Sequence, residues 1–121
     1  MRLSDNKRKG DYGETVAVGY LEGRNYGIIR RNYKRGSGEI DIIAKDNGTG
    51  HIVFVEVKYR KNASEAESPQ FAVTKGKIGA LKRTANWYIT ENQLDCDMRF
   101  DVIEVTGGEK LEINHIIDAI N

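Results

Sequence analysis

The sequence predicts an α/β fold, a sheet of mixed direction flanked by helices, in the order α-β-β-β-α-β-β. Three observations lead there. Apolar residues recur at helical spacing in two separate stretches, one near the start and one in the middle of the chain. Five runs rich in Val, Ile, Phe and Tyr lie between and after them, which is strand composition. Short turns join the first three runs, whereas the second helical stretch separates the third from the fourth. Neighbours joined by short turns pair antiparallel, so the first three strands are expected to form a meander. The whole chain, residues 1–121, is read as one domain.

The elements follow in order. From Lys7 to Glu22, the residues Tyr12, Val16 and Tyr20, with Ala17 and Leu21, repeat at i, i+4 and build one apolar stripe, and Gly23 is a plausible stop. Tyr26 to Tyr33 reads as a strand, and Arg35-Gly36-Ser37-Gly38 as a turn. Glu39 to Ala44 reads as the second strand, and Asp46 to Gly50 as the next turn. Ile52 to Lys58 is the strongest strand in the chain. The polar stretch Lys61 to Gln70, with the single proline Pro69, reads as a loop long enough to serve function. Thr74 can cap a second helix running to Thr90, with Ile78, Leu81, Ala85 and Tyr88/Ile89 on its apolar stripe. Met98 to Val105 and Leu111 to Ile117 supply the last two strands, with Gly107-Gly108 turning between them.

Composition narrows the function. The chain is 39% apolar and 31% charged, which suits a soluble globular protein. No apolar run approaches the roughly 18 residues that cross a membrane, and the charged opening residues do not read as a secretory signal. Cys96 is the only cysteine, which excludes an internal disulfide and a zinc finger and fits the cytoplasm. The net charge of +1 conceals an excess of Lys and Arg before residue 37 and of Asp and Glu after residue 90. A protein that only coats nucleic acid is usually basic throughout.

Two strands carry charge where a buried strand should not. In the second, Glu39, Asp41 and Ile43 share one face and Ile40, Ile42 and Ala44 the other. In the third, Phe54, Glu56 and Lys58 share one face and Val53, Val55 and Val57 the other. If these strands pair, Asp41, Glu56 and Lys58 converge. Two carboxylates about 5 Å apart repel by roughly 3 kcal/mol at an effective dielectric of 20. A cation must offset that, or one group must stay protonated. Lys58 supplies one charge, and a divalent ion would supply two. Hard oxygen donors suit Mg²⁺ or Mn²⁺, and a lysine beside such a metal can orient or deprotonate a water. The same pattern also describes an exposed sheet face with a surface salt bridge, and spacing alone does not choose between them.

Gly38-Glu39-Ile40-Asp41-Ile42-Ile43-Ala44 followed by Val53-Phe54-Val55-Glu56-Val57-Lys58-Tyr59-Arg60 resembles the core of the restriction-endonuclease-like, or PD-(D/E)XK, superfamily. Ile40 stands where that signature's name has proline, and the acidic Glu65-Ala66-Glu67 stands where relatives often carry Phe-Gly. The whole chain resembles the YraN family of small bacterial nuclease-like proteins, with Gly13-Glu14, Ala17 and Leu21 similar to its opening helix and Val73 to Lys77 to the start of its second. The resemblance implies a restriction-endonuclease-like core related to Holliday-junction resolvases and Mg²⁺- or Mn²⁺-dependent hydrolysis of DNA phosphodiesters, on branched or repair intermediates. It implies that Asp41 and Glu56 bind the metal with the backbone carbonyl of Val57, that Lys58 is the catalytic lysine, and that Glu14 completes the site.

Basic residues fit a DNA partner. Lys75, Lys77, Lys82 and Arg83 lie off the apolar stripe of the second helix, Arg60 follows the third strand, and Arg30, Arg31, Lys34 and Arg35 edge the first. Such side chains contact phosphates without reading bases. A solvated helix face is the plainer reading of the same residues. Trp87 and Tyr88 are expected to pack rather than stack on bases. His51 and His115 have no partner at ligand spacing, Cys96 lies between two acids, and Glu39 and Gln70 rank below the main site residues. Two other functions fit the fold. A non-catalytic nucleic-acid binding module predicts salt-dependent binding without turnover. A protein-interaction domain predicts docking through the acidic last third. Cutting both strands of a junction would call for a homodimer.

Overall fold

A computed structural model describes residues 5–62 and 75–120, with side chains from residue 10 and from residue 76. The elements are α1 (Asp5–Glu22), β1 (Tyr26–Arg35), β2 (Gly38–Asp46), β3 (Ile52–Arg60), α2 (Lys75–Glu91), β4 (Met98–Thr106) and β5 (Glu112–Ile116). Their order and type are those the sequence predicts, and each expected boundary is met within a few residues. The strands run past their apolar centres because backbone pairing continues where side chains are exposed, as at Lys34 and Arg35 against Glu39 and Gly38. The expected loop from residue 63 to Gln70, with Pro69, and the Thr74 cap lie outside the described residues, as does the side chain of Lys75. Among the described residues, no helix is long and apolar enough to cross a membrane.

The strands form one sheet in the order β1-β2-β3-β4-β5. β1, β2 and β3 pair antiparallel, β3 and β4 parallel, and β4 and β5 antiparallel. The parallel pair is adjacent only because α2 carries the chain back along the sheet. Ala17 and Leu21 of α1 pack with Ile42, Ala44, Val53, Val55, Ile103 and Val105 on one face. Leu81, Ala85 and Tyr88 of α2 pack with Ile43, Phe54 and Phe100 on the other. Phe54 is 2% exposed and stacks near both Tyr88 and Phe100, so truncating it to alanine would cost about 3–5 kcal/mol.

Two sequence expectations are corrected here. Tyr12 does not join the buried stripe of α1; it is half exposed and lies edge-on to Tyr59. The buried stripe is Gly13, Glu14, Ala17 and Leu21. α1 approaches the sheet closely at Gly13, where an added β-carbon would lie 2.8 Å from that of Tyr59. That approach turns the neighbouring tyrosine outward. Strict alternation along β2 fails as well. Ile40 and Ile43 pack on the α2 face, whereas Ile42 packs on the α1 face, so the strand is irregular between Ile40 and Ile42, at Asp41. β1 is irregular opposite it. Asn32 has a φ of 53°, in the left-handed region where asparagine is enriched.

Candidate active site

The irregularity at Asp41 builds the site. β2 and β3 pair from Lys45↔Ile52 to Ile42↔Val55, and the pairing stops there. Asp41 and Glu56 are the next residues along each strand. In place of a ladder bond, the backbone N–H of Val57 donates to Asp41 Oδ2 at 2.8 Å. A side chain thus replaces backbone in the seam between two central strands, and it satisfies an N–H that would otherwise be orphaned.

Lys58 is 6% exposed, and its Nζ lies 3.2 Å from Glu56 Oε1. Lys77, from the first turns of α2, approaches the same oxygen at 3.6 Å. Burial, and then the adjacent Glu56 carboxylate, push the Asp41 carboxyl up to about 7. Burial also lowers Lys58, and so does Lys77, which shares a hydrogen bond with it. That shared hydrogen bond, with Glu56, raises Lys77. The pair therefore divides its labour: Lys77 holds the charge beside Glu56, and Lys58 is the amine readier to be neutral.

Glu14 comes from α1 on the other side of Asp41. It is 5% exposed, and its Oε1 accepts from Arg31 Nε at 3.1 Å and from Asn32 Nδ2 at 2.9 Å. Burial raises its pKa against those two donors. Asp41 and Glu39 line two hollows. One, of about 280 Å³, also takes in Glu56, Lys77 and Leu81; the other, of about 590 Å³, takes in Glu14, Asn32 and Lys34.

The structure thus brings Asp41, Glu56 and Lys58 together and sets Glu14 beside Asp41. Lys77, read from sequence as a phosphate contact, lies inside the acidic site. Arg60 donates to Thr106 Oγ1 at 2.7 Å and so also ties β3 to β4. Lys82 and Arg83 are exposed on α2. Sequence reasoning missed Asn32; its one signal was an asparagine inside a strand pattern. Among the described residues, no three His, Cys, Asp or Glu side chains converge closely enough to cage a metal. The donors are two carboxylates with backbone beside them. Mg²⁺ is often held in this way, by one or two carboxylates while it keeps waters and takes substrate oxygens.

Tyr88 packs in the core as expected, but Trp87 does not. Trp87 is 50% exposed, with the Arg35 guanidinium 4.3 Å from its ring centroid. His115, which had no sequence partner, is 2.7 Å from Asp101 Oδ2 in a buried network with Arg99. Cys96 is exposed.

Fold and site together define a class: a mixed α/β sheet whose central seam is split by a carboxylate, beside a second carboxylate and a buried lysine. Comparison with known proteins agrees with the family the motifs resemble. The chain matches the model described as "Uncharacterised protein family UPF0102" over residues 13–105, a span that holds every residue of the site. It belongs to that family, the one named above as YraN. It is similar to a UPF0102 protein of Clostridioides difficile, 47% identical over 95% of this chain and 98% of the relative. Another, of Geotalea uraniireducens, is 44% identical over 96% and 91%. A solved structure, the crystal structure of a repair endonuclease from Pyrococcus abyssi, is similar over 90% of this chain at 16% identity and a TM-score of 0.48; this chain covers 42% of that one.

Proposed function

We propose that this chain is a restriction-endonuclease-like, divalent-metal-dependent nuclease that hydrolyses DNA phosphodiester bonds on branched or repair intermediates. The observation that carries the reading is the split between β2 and β3, which sets two carboxylates beside a lysine of lowered pKa. Burial first, and then Glu56, raise Asp41, and two hard oxygen donors set side by side suit Mg²⁺ or Mn²⁺.

Asp41 and Glu56 would hold the ion with the carbonyl of Val57, and Glu14 would assist from α1. The bound ion would supply Lewis-acid stabilisation of a phosphate oxygen and charge to offset the carboxylates. Lys58 takes a proton from the attacking water as its oxygen bonds to phosphorus and the P–O ester bond breaks. The leaving oxygen is protonated by solvent. A lysine poised toward its neutral form suits that role. Glu56 orients the amine, and Lys77 lies on the same carboxylate oxygen. Lys82 and Arg83 supply phosphate contacts along α2.

The test is cleavage of labelled single-stranded, duplex, flap and four-way-junction DNA with Mg²⁺ or Mn²⁺, with Asp41→Asn and Lys58→Ala alongside. Cutting by wild type that both variants abolish is the expected result. Wild-type protein that binds DNA but cuts none of these substrates would overturn the catalytic reading and leave a binding module.

A further inference from the structure

The acidic hollow does not end at Asp41. Ser37, Gly38 and Ala80 line both it and a neighbouring hollow of about 180 Å³. Arg83 and Trp87 line both that one and an outer hollow of about 400 Å³, completed by Asn86 and Thr90. The three adjoin one another along α2. They do so because α2 sits close over the turn between β1 and β2: a β-carbon on Gly38 would collide with the side chain of Thr84.

The chemistry changes along that row. Its inner end holds Asp41, Glu56 and Lys77; its middle and outer hollows are lined by Arg35, Arg83 and Trp87 and by no acidic residue. Arg35 also pairs with Glu91 at 3.3 Å, which holds the guanidinium over Trp87. Trp87 is ten residues beyond Lys77, which is about 15 Å along a helix, the reach of a few nucleotides. An indole exposed on a face next to two arginines is poorly used as packing. The half of the indole left exposed beside the Arg35 guanidinium offers a flat apolar surface with cations next to it.

The geometry points to Trp87 as a stacking platform for an unpaired nucleotide of the DNA strand whose phosphate lies at Asp41 and Glu56, with Arg35 and Arg83 on the intervening phosphates. The inference rests on the nuclease reading and adds the substrate's form to it. A base within a duplex is stacked on its neighbours on both sides, so only single-stranded DNA, or the unpaired arm of a branched molecule, can lay a base face on the indole.

Trp87 is the only tryptophan, so its emission reports the contact directly. The experiment titrates wild-type protein with a 16-nucleotide oligothymidylate and with a 16-base-pair duplex in EDTA, where nothing is cut. Binding of the labelled oligonucleotide to Trp87→Ala, Trp87→Phe and Arg83→Ala is followed by anisotropy. The expected result is saturable quenching by the oligothymidylate and little by the duplex. Affinity falls about tenfold in Trp87→Ala and is mostly retained in Trp87→Phe. Absence of quenching, or a Trp87→Ala affinity within twofold of wild type, overturns the proposal. Cleavage that persists alongside such a result would leave the nuclease reading standing; quenching in a protein that never cuts would remove the nuclease reading and keep the platform.

Discussion

Asp101 and Asp41 are carboxylates on neighbouring parts of one sheet, and their surroundings treat them oppositely. Asp101, near the start of β4, is 1% exposed. Its oxygens accept from Arg99 Nε and Nη2 at 2.8 and 2.9 Å, from His115 Nε2 at 2.7 Å and from the N–H of Asp118 at 3.0 Å. Arg99 also reaches Asp46 at 3.0 Å and Tyr26 at 2.7 Å. Burial pushes Asp101 up, but the donors from His115, Arg99 and Asp118 win and hold it at about 2. Asp41 is half-buried; among the described residues its donor is the N–H of Val57, and its neighbours include Glu56, Glu14 and Glu39. It is pushed up to about 7. The difference separates a carboxylate held by several donors from one set beside other carboxylates with a backbone donor. The more enclosed carboxylate is the one held low, so the balance of donors outweighs burial.

The comparison can be broken in several ways. The largest effect belongs to chemistry. Lys58→Ala is expected to lower the cleavage rate at least about 100-fold, measured at saturating Mg²⁺ on protein shown to be folded by circular dichroism. Equal rates would remove Lys58 from the mechanism. Asp101→Ala should destabilise the fold by about 3–5 kcal/mol in urea unfolding, because it strands part of the charge of Arg99 in a buried setting. Asp41→Asn should do the reverse. It keeps an acceptor for the N–H of Val57 and removes an unfavourable charge, so a metal-free sample at pH 8 should gain on the order of 2–4 kcal/mol.

The pH dependence sharpens the contrast, and the two signs are opposite. The folded pKa of Asp41 lies above its unfolded value of 3.8, so its protonation favours the folded state. Wild-type stability falls as pH rises from about 4 through about 7, and the advantage of Asp41→Asn disappears below pH 4. The folded pKa of Asp101 lies below 3.8, so its stabilisation is present above about pH 4 and is lost as pH falls toward 2. Urea titrations of wild type and both variants at pH 3, 5 and 8 test both slopes; parallel curves would contradict the comparison. The smallest effect is on the surface. Arg35→Gln removes an exposed pair with Glu91 and should change stability by less than about 1 kcal/mol.

Much of this was legible in the residues. The period of two in Ile52 to Lys58 and the helical spacing of Ala17 with Leu21 and of Leu81, Ala85 and Tyr88 specify element types and buried faces, because burial follows backbone period. Asp41, Glu56 and Lys58 stood out because charge at core-facing strand positions is costly and calls for a reason. Tyr12 and Trp87 were misjudged because a periodic pattern does not say where a stripe ends; the close approach at Gly13 and the path of α2 over Gly38 settled that. The link from Arg99 and Asp101 on β4 to His115 on β5 and Asp46 on β2 had no local signature, since those strands meet only through sheet order.

The sequence by itself determined which segments become helix and strand, that the strands must share a two-sided core, and which three charged residues stand at costly strand positions. Those follow from local period and from the cost of burying charge. Only the tertiary structure decided that the β2–β3 ladder stops one residue before Asp41, that Lys77 joins Glu56, and that Glu14 is turned to its place by Arg31 and the left-handed Asn32. These depend on register and on the packing of helices that are distant along the chain. No local pattern encodes them, because each is the outcome of several elements competing for the same space.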